Sequence, residues 1–259
     1  MHLKNVIDDE IKELLENDVI QESVSPYNSP MVVVPKKKGP DGREKFRVCF
    51  DYRKLNEVTI EDVFPMPNLE NILNSIKGVK YYSVLDMSKG FHQLLLNPRD
   101  RHKTSFSTED MKYEFKRMPF GVRGGPSSFQ RMMNKVLKGL KNVLIFMDDV
   151  LIFSDTIEAH IELFNEVMRR LKEVNLLVQI EKCELLKSEV CYLGFIVNKD
   201  GVKPNPEKIR VVKEFPRPKN VKNIRQFIGL CSFYRKHIKN FAKVSKPLTK
   251  LLDKNNKFQ

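Results

Sequence analysis

The chain has 259 residues, of which 41% are hydrophobic and 31% charged, a balance typical of a globular protein that buries a sizeable core. Its 46 lysine and arginine residues outnumber its 33 aspartate and glutamate residues, and the net charge of +13 favours a polyanionic partner such as nucleic acid over a merely basic surface. No apolar run approaches the roughly 20 residues that cross a bilayer, and the four cysteines are spaced too widely for a zinc site or a disulfide framework.

The first half of the chain alternates predicted helices with predicted strand pairs. The first ten residues lack the apolar stretch of a signal peptide, so we expect an intracellular protein with no membrane partner. In chain order, periodicity and turn residues predict a helix over about 8–17, a strand over 31–34, a basic turn over 36–42, a returning strand over 45–51, a short helix from Phe64 to about Ile76, a strand over 81–86, a strand pair of 103–106 with 113–117, and a helix from Pro126 to about Leu137.

Two adjacent aspartates, Asp148 and Asp149, lie between two apolar runs, 143–147 and 150–153. Apolar runs that meet at a short polar pair predict a β-hairpin with the acids at its tip. Like charges beside a hydrophobic sheet repel each other and are costly to desolvate unless a cation lies between them. Mg²⁺ prefers carboxylate oxygens and completes its shell with water and phosphates, so the tip is a candidate phosphoryl-transfer site. The alternative for a bare Asp-Asp pair is an ordinary solvated turn.

A third acid, Asp86, ends the strand predicted over 81–86, and its strand has room to return beside the acidic hairpin. Three carboxylates that converge there can hold two metal ions. Beyond the hairpin we predict an amphipathic helix over 157–174, a single strand over 190–197, a turn at 200–201, and basic helices over 206–215 and 221–238. Antiparallel hairpins followed by an all-helical part define an α+β fold with a subdomain boundary near Gly201. No P-loop or dinucleotide-binding glycine motif is present.

Six motifs follow one another in a fixed order: Asn28-Ser29-Pro30, RVCFDYRKLN at 47–56, LDMSKGFHQ at 85–93, MPFGVRGGPSSFQ at 118–130, FMDD at 146–149, and Tyr192-Leu193-Gly194. Each is weak alone, but the ordered set resembles the reverse transcriptase of the Pol polyprotein of gypsy-type long-terminal-repeat retrotransposons, a relative of the retroviral enzymes. The resemblance runs over essentially the whole chain. One departure is Phe146, where family members usually have tyrosine.

The resemblance implies an RNA-directed DNA polymerase with a right-hand architecture of fingers, a palm made of an antiparallel sheet backed by helices, and a helical thumb. Residues 1–61 and 94–124 are then the fingers, 62–93 and 125–200 the palm, and 201–259 the thumb. The implied cofactor is a pair of Mg²⁺ ions, which Mn²⁺ can replace, and the implied substrates and partners are dNTPs, an RNA template, a DNA primer and the RNA–DNA hybrid. We expect no connection or ribonuclease H domain in this chain, and a cytoplasmic location in a retrotransposon particle.

The resemblance also assigns roles residue by residue. Asp86, Asp148 and Asp149 are the implied metal ligands, with one oxygen added by the Met87 carbonyl. Lys182 is placed to protonate the departing pyrophosphate. The implied contacts to the incoming nucleotide come from Lys36, Arg47, Met87, Lys89, Gly90, Phe91 and Met147, of which Phe91 is the gate against a ribose 2′-hydroxyl. The implied contacts to nucleic acid come from Tyr192, Leu193 and Gly194 at the primer end and from Arg225, Gln226 and Gly229 on the thumb.

Two functions from other classes compete with this interpretation. The first is a catalytically silent, retroelement-derived protein that binds nucleic acid, which the complete set of three acids with Lys36 and Arg47 disfavours. The second is a metal-dependent nuclease, which also uses paired carboxylates but needs neither a finger hairpin nor a sugar gate.

Overall fold

The computed structural model describes residues 2–36, 44, 46–65, 76 and 78–253. These residues divide into two compact units: unit 1 contains the described residues within Met1–Asn68, Leu85–Ile152 and Ile161–Cys183, and unit 2 those within Leu69–Val84, Phe153–His160 and Glu184–Gln259. The predicted basic turn over 36–42 and the predicted helix between Phe64 and Ile76 lie outside the described residues for most of their length.

Helices and antiparallel strands occur together, which confirms the predicted α+β class. The helices are α1 (His2–Glu16), α2 (Arg53–Val58), α3 (Pro98–Arg101), α4 (Gly125–Val136), α5 (Ile157–Glu173), α6 (Pro206–Lys213), α7 (Val221–Ser232) and α8 (Phe241–Lys250). The strands are β1 (Ile20–Glu22), β2 (Met31–Pro35), β3 (Phe46–Phe50), β4 (Tyr81–Asp86), β5 (Phe106–Ser107), β6 (Lys112–Phe115), β7 (Val143–Phe146), β8 (Asp149–Ser154), β9 (Glu184–Lys187), β10 (Glu189–Tyr192), β11 (Phe195–Asn198) and β12 (Gly201–Pro204). No helix in the described ranges is long and apolar enough to cross a bilayer.

The first part of unit 1 contains the predicted hairpin of β2 and β3, in which Val34 lies opposite Arg47. A second sheet has the strand order β1-β6-β5, so β6 is paired on both sides. The strand predicted over 103–106 begins only at Phe106, because His102–Thr104 form a 3₁₀ turn. The apolar face of α1 packs on this sheet through a core that includes Ile11, Leu14, Phe106 and Phe115.

The predicted acidic hairpin is present in unit 1 as antiparallel β7 and β8. Phe146 pairs with Asp149, so the two-residue turn consists of Met147 and Asp148, and Asp149 is the first residue of β8. Behind the hairpin, the helices α4 and α5 contribute to one apolar core, whose members include Leu85, Phe129, Met133, Val150, Ile152, Val167 and Leu171. Burial of this core fixes the position of the strand ends that carry the acids.

In unit 2, the prediction of a single strand over 190–197 is wrong. The chain instead forms a hairpin of β10 and β11, with Tyr192 opposite Phe195. Leu193 and Gly194 make the turn with φ angles of +50° and +84°, a conformation that glycine adopts without steric cost. A third strand, β12, pairs with β11.

The two basic helices predicted in unit 2 are present but shorter than expected. The helix that begins at Pro206 ends at Lys213, and the helix predicted over 221–238 ends at Ser232 and is followed by a 3₁₀ turn at Arg235–His237. The rings of Phe233 and Tyr234 lie 5.5 and 5.7 Å from the Phe195 ring, and this packing directs the chain away from the helix axis.

Candidate active site

Three carboxylates lie at adjoining strand ends of unit 1. Asp86 is the last residue of β4, Asp148 is in the hairpin turn and Asp149 begins β8. The segment after β4 is tied to the turn because the Met87 N–H donates a hydrogen bond of 2.9 Å to the Asp148 carbonyl. Gly90 also approaches Asp148 closely, since a Cβ atom at this position would lie 2.9 Å from the Asp148 Cγ. Any side chain at residue 90 would therefore displace this acid.

The carboxylates are in an environment that disfavours their negative charge. Burial, followed by the charges of Asp86 and Asp148, raises the pKa of Asp149 to about 6. Burial and Asp86 also raise the pKa of Asp148, while Lys182 acts in the opposite direction. Asp148 Oδ1 is buried and has no hydrogen-bond partner among the described residues. An orphaned carboxylate oxygen beside two further acids is a site that a cation would stabilise.

Within the described ranges, no three His, Cys, Asp or Glu side chains form a ready-made metal cage. Mg²⁺ rarely needs one, because it keeps several waters and is bound by one or two carboxylates together with substrate phosphates. The oxygen-only donor set of Asp86, Asp148 and Asp149 matches that preference.

Lys182 lies at the end of the 3₁₀ turn Ile180–Lys182, beside the carboxylates. Its Nζ is 3.7 Å from Asp86 Oδ1, and its side chain is 58% exposed. The ammonium group is therefore close to Asp86 and exposed to solvent.

Gln130 is a site residue to which the sequence assigned no role. Its side chain on α4 is fully buried, accepts a 2.8 Å hydrogen bond from the Met147 N–H and donates one of 3.1 Å to the Ile145 carbonyl. Met147 has a φ of +51°, an unfavourable conformation for a side chain of this size, and Gln130 holds it. The sequence signal that could have indicated this role is the position of Gln130 next to Phe129, where the polar side chain falls on the buried face of the helix.

Phe91 follows Gly90 in a 3₁₀ turn and packs in an aromatic cluster. Its ring centroid lies 5.2 Å from that of Phe120 and 5.8 Å from that of Phe129. Phe129 is buried in the core, so it supports Phe91 from behind. The predicted sugar gate is thus a partly buried ring with fixed neighbours.

The predicted phosphate contacts are basic and exposed. Lys36 directly follows β2, and Arg47 lies on β3 of the same hairpin. Lys89 has a left-handed backbone with a φ of +44° and forms an ion pair with Glu13 of α1. Burial raises the pKa of Glu10, the preceding acid on that face, and Lys89 and Lys36 both oppose the shift. The two lysines therefore both lie near Glu10.

The predicted nucleic-acid contacts lie in unit 2. Tyr192 is buried, and Leu193 and Gly194 form the β10–β11 turn. A Cβ on Gly194 would lie 3.8 Å from Tyr234 Oη and 3.9 Å from Phe233, which is ordinary contact, so Gly194 is required by its φ rather than by space. The three predicted thumb residues Arg225, Gln226 and Gly229 all lie on α7 and are exposed.

Comparison with known proteins gives concordant matches. The sequence profile described as reverse transcriptase (RNA-dependent DNA polymerase) matches residues 34–197. The chain is 45% identical over 97% of its length to the retrovirus-related Pol polyprotein from transposon 297 of Drosophila melanogaster, and 43% identical over 99% to that from transposon gypsy of the same species, and it spans 24% and 25% of these proteins. The foamy viral protease-reverse transcriptase in complex with RNA/DNA hybrid superimposes with a TM-score of 0.86 at 26% identity, over 99% of this chain and 34% of that one.

Proposed function

The chain belongs to the reverse transcriptase (RNA-dependent DNA polymerase) family, and we propose that it extends a DNA primer with dNTPs on RNA or DNA templates. The relatives from transposons 297 and gypsy confirm the predicted resemblance to Pol polyproteins of the gypsy type. The observation that carries the catalytic proposal is the buried, unpartnered Asp148 Oδ1 among three carboxylates, two of which have raised pKa values. An intracellular site of action is part of this proposal.

Asp86, Asp148 and Asp149, with the Met87 carbonyl, are the residues that would hold two Mg²⁺ ions, or Mn²⁺ in their place. The bound cations would offset phosphate charge and make the primer hydroxyl a better nucleophile. Lys182, beside Asp86, delivers a proton to the departing pyrophosphate.

The incoming nucleotide is held from two directions. Lys36 and Arg47 on the β2–β3 hairpin bind the triphosphate. The guanidinium group of Arg47 can donate two hydrogen bonds to its oxygens at once. The backbone amides of Lys89 and Gly90 form a phosphate cradle beside the acids. Phe91 and Met147 face the sugar and base, and the Phe91 ring, backed by Phe129, leaves no space for a 2′-hydroxyl.

We assign the predicted fingers (1–61 and 94–124), palm (62–93 and 125–200) and thumb (201–259) to this polymerase. The turn of Tyr192, Leu193 and Gly194 supports the primer end. Arg225, Gln226 and Gly229 follow the backbone of the template–primer duplex, with little sequence preference. Support for this partner comes from the exposed face of α7 and from the foamy viral relative, whose complex contains an RNA/DNA hybrid. Such binding weakens steeply with salt.

A primer-extension assay tests the proposal. Purified protein is incubated with an RNA template, an end-labelled DNA primer, Mg²⁺ and the four dNTPs. A ladder of products that reaches the template end supports the polymerase. Binding without extension supports the silent nucleic-acid-binding protein instead, and shortening of either strand supports the nuclease.

A further inference from the structure

Gln93 is the last residue of the 3₁₀ turn that contains Gly90 and Phe91. Both the nitrogen and the oxygen of its side-chain amide form hydrogen bonds. Its Nε2 donates hydrogen bonds of 2.6 Å to the Ser88 carbonyl and 2.9 Å to the Leu177 carbonyl. Its Oε1 accepts a hydrogen bond of 2.6 Å from the Leu177 N–H. The side-chain amide thus bonds to both the N–H and the carbonyl of Leu177, as the backbone of a neighbouring strand would. It also donates a hydrogen bond to the backbone of Ser88.

The two backbone segments that Gln93 contacts, one after β4 and one before Lys182, are also hydrogen-bonded to each other. The Ser88 N–H donates to the Leu177 carbonyl at 3.0 Å, and the Gln179 N–H donates to the Asp86 carbonyl at 2.8 Å. The Lys182 N–H in turn donates to the Gln179 carbonyl at 3.0 Å. Residues 177–179 therefore lie along residues 86–88, and the turn that presents Lys182 is built on this pairing.

Apolar packing holds the segment before Lys182 only in part, since Leu176 is buried in the core and Val178 packs against it, while the apolar side chains on either side of Val178 are largely in solvent. Leu177 is 65% exposed and Ile180 is 76% exposed. Segments with few buried contacts open locally at low free-energy cost. The three hydrogen bonds of Gln93 therefore add to the packing of Leu176 and Val178 and to the backbone pairing in keeping this segment against the strand that carries Asp86.

We propose that Gln93 is a positioning residue for Lys182, because it clamps the segment that places the Lys182 ammonium beside Asp86. This inference rests on the proposed polymerase function and on the role of Lys182 in the departure of pyrophosphate. Gln93 itself contacts neither nucleotide nor cation. Loss of its amide lets the 177–182 segment move away and leaves the three carboxylates in place.

The size of the effect follows from the step that Lys182 serves. General acids contribute about 10²- to 10⁴-fold to a rate, and misplacement of a catalytic group by about 1 Å costs up to about 100-fold. We expect Gln93→Met to lower the rate of single-nucleotide incorporation at saturating dNTP by about 10- to 100-fold. The affinity for template–primer stays unchanged.

Gln21→Met is the matched control. Gln21 is also a partly buried glutamine of unit 1, and its Nε2 donates a 2.8 Å hydrogen bond to Glu114 away from the carboxylates. Gln21→Met should incorporate nucleotide at the wild-type rate. Thermal unfolding of both variants checks the fold, and Gln93→Asn, which keeps the amide on a shorter side chain, replaces Gln93→Met if that variant does not fold.

The decisive readout is the dependence of the rate on the leaving group. dNTP analogues with CF₂, CHF or CH₂ in place of the β,γ-bridging oxygen depart with decreasing ease. Gln93→Met and Lys182→Met should both show a steeper decline across this series than wild type, and the double variant should match Lys182→Met alone.

Two results would overturn the inference: a Gln93→Met defect that is equal for every leaving group, or one that adds in full to that of Lys182→Met. A wild-type rate for Lys182→Met would also overturn it. Failure of the wild-type protein to extend any primer would instead contradict the proposed function.

Discussion

Gly90 and Asp148 are in direct contact, and an added Cβ on Gly90 would lie 2.9 Å from the Asp148 Cγ. The contact brings the turn after β4 against the tip of the acidic hairpin. Asp148 is therefore positioned from one side by Gly90 and, through the neighbouring Met147 N–H, from the other by Gln130.

Gly90→Ala should reduce the maximal rate of primer extension at least tenfold, because the new methyl group must push the Asp148 carboxylate out of place. Gly124→Ala is the control, since nothing lies within 4 Å of a Cβ at Gly124. Steady-state kinetics of both variants provide the measurement. Equal activity of the two would show that Asp148 moves without consequence.

Asp149→Asn should stabilise the cation-free protein by roughly 1–3 kcal/mol at pH 7.5. The pKa of Asp149 is raised to about 6 in the fold, against about 3.9 in an unfolded chain, so ionisation costs stability as pH rises through this window. The gain should shrink as the pH falls from 6 to 4, because the acid is protonated in the fold over this range, and it should vanish at lower pH, where the acid is protonated in both states. Thermal unfolding across pH measures it, with the exposed Asp155→Asn as control, and a gain independent of pH would contradict the assignment.

Glu13→Gln should lower the apparent KM for dNTP by about two- to fivefold with little change in kcat. The ion pair of Glu13 with Lys89 holds the lysine away from an incoming triphosphate, and an exposed pair of this kind is weak. Glu16→Gln on the same helix, whose partner is Lys12, should change nothing. The effect should vanish in a Lys89→Ala background, and its persistence there would exclude Lys89 as the cause.

Phe91→Val should raise the use of ribonucleotides relative to deoxyribonucleotides, because the smaller side chain opens space at the 2′ position. Incorporation of a matched rNTP and dNTP pair gives the ratio. Phe227→Val, which removes a ring that packs on Phe215 in unit 2, serves as control. An unchanged ratio would mean that Phe91 supports only the aromatic cluster.

Local patterns predicted the elements that carry the site. The apolar runs around Asp148 and Asp149 gave the hairpin, although the turn consists of Met147 and Asp148 because Phe146 pairs with Asp149. The prediction of a single strand over 190–197 was wrong because the apolar run indicated a continuous strand, whereas Gly194 within that run takes a positive φ and forms a turn.

Contacts between residues far apart in sequence were not predictable in this way. Gln130 and Gln93 position the site through hydrogen bonds to Met147 and Leu177, and nothing in the local sequence of a glutamine specifies such a partner. The helix α7 ends at Ser232, before the predicted residue 238, and this end likewise depends on the packing of Phe233 against Phe195.

Single-turnover extension by Asp148→Asn is the most direct test of the central claim that three carboxylates bind the catalytic cations. The variant keeps the size of the side chain and removes its charge, so it should fold and bind template–primer like wild type while extension falls at least 1,000-fold (~4 kcal/mol). Asp155→Asn should extend at the wild-type rate. Extension by Asp148→Asn at the wild-type rate would contradict the account.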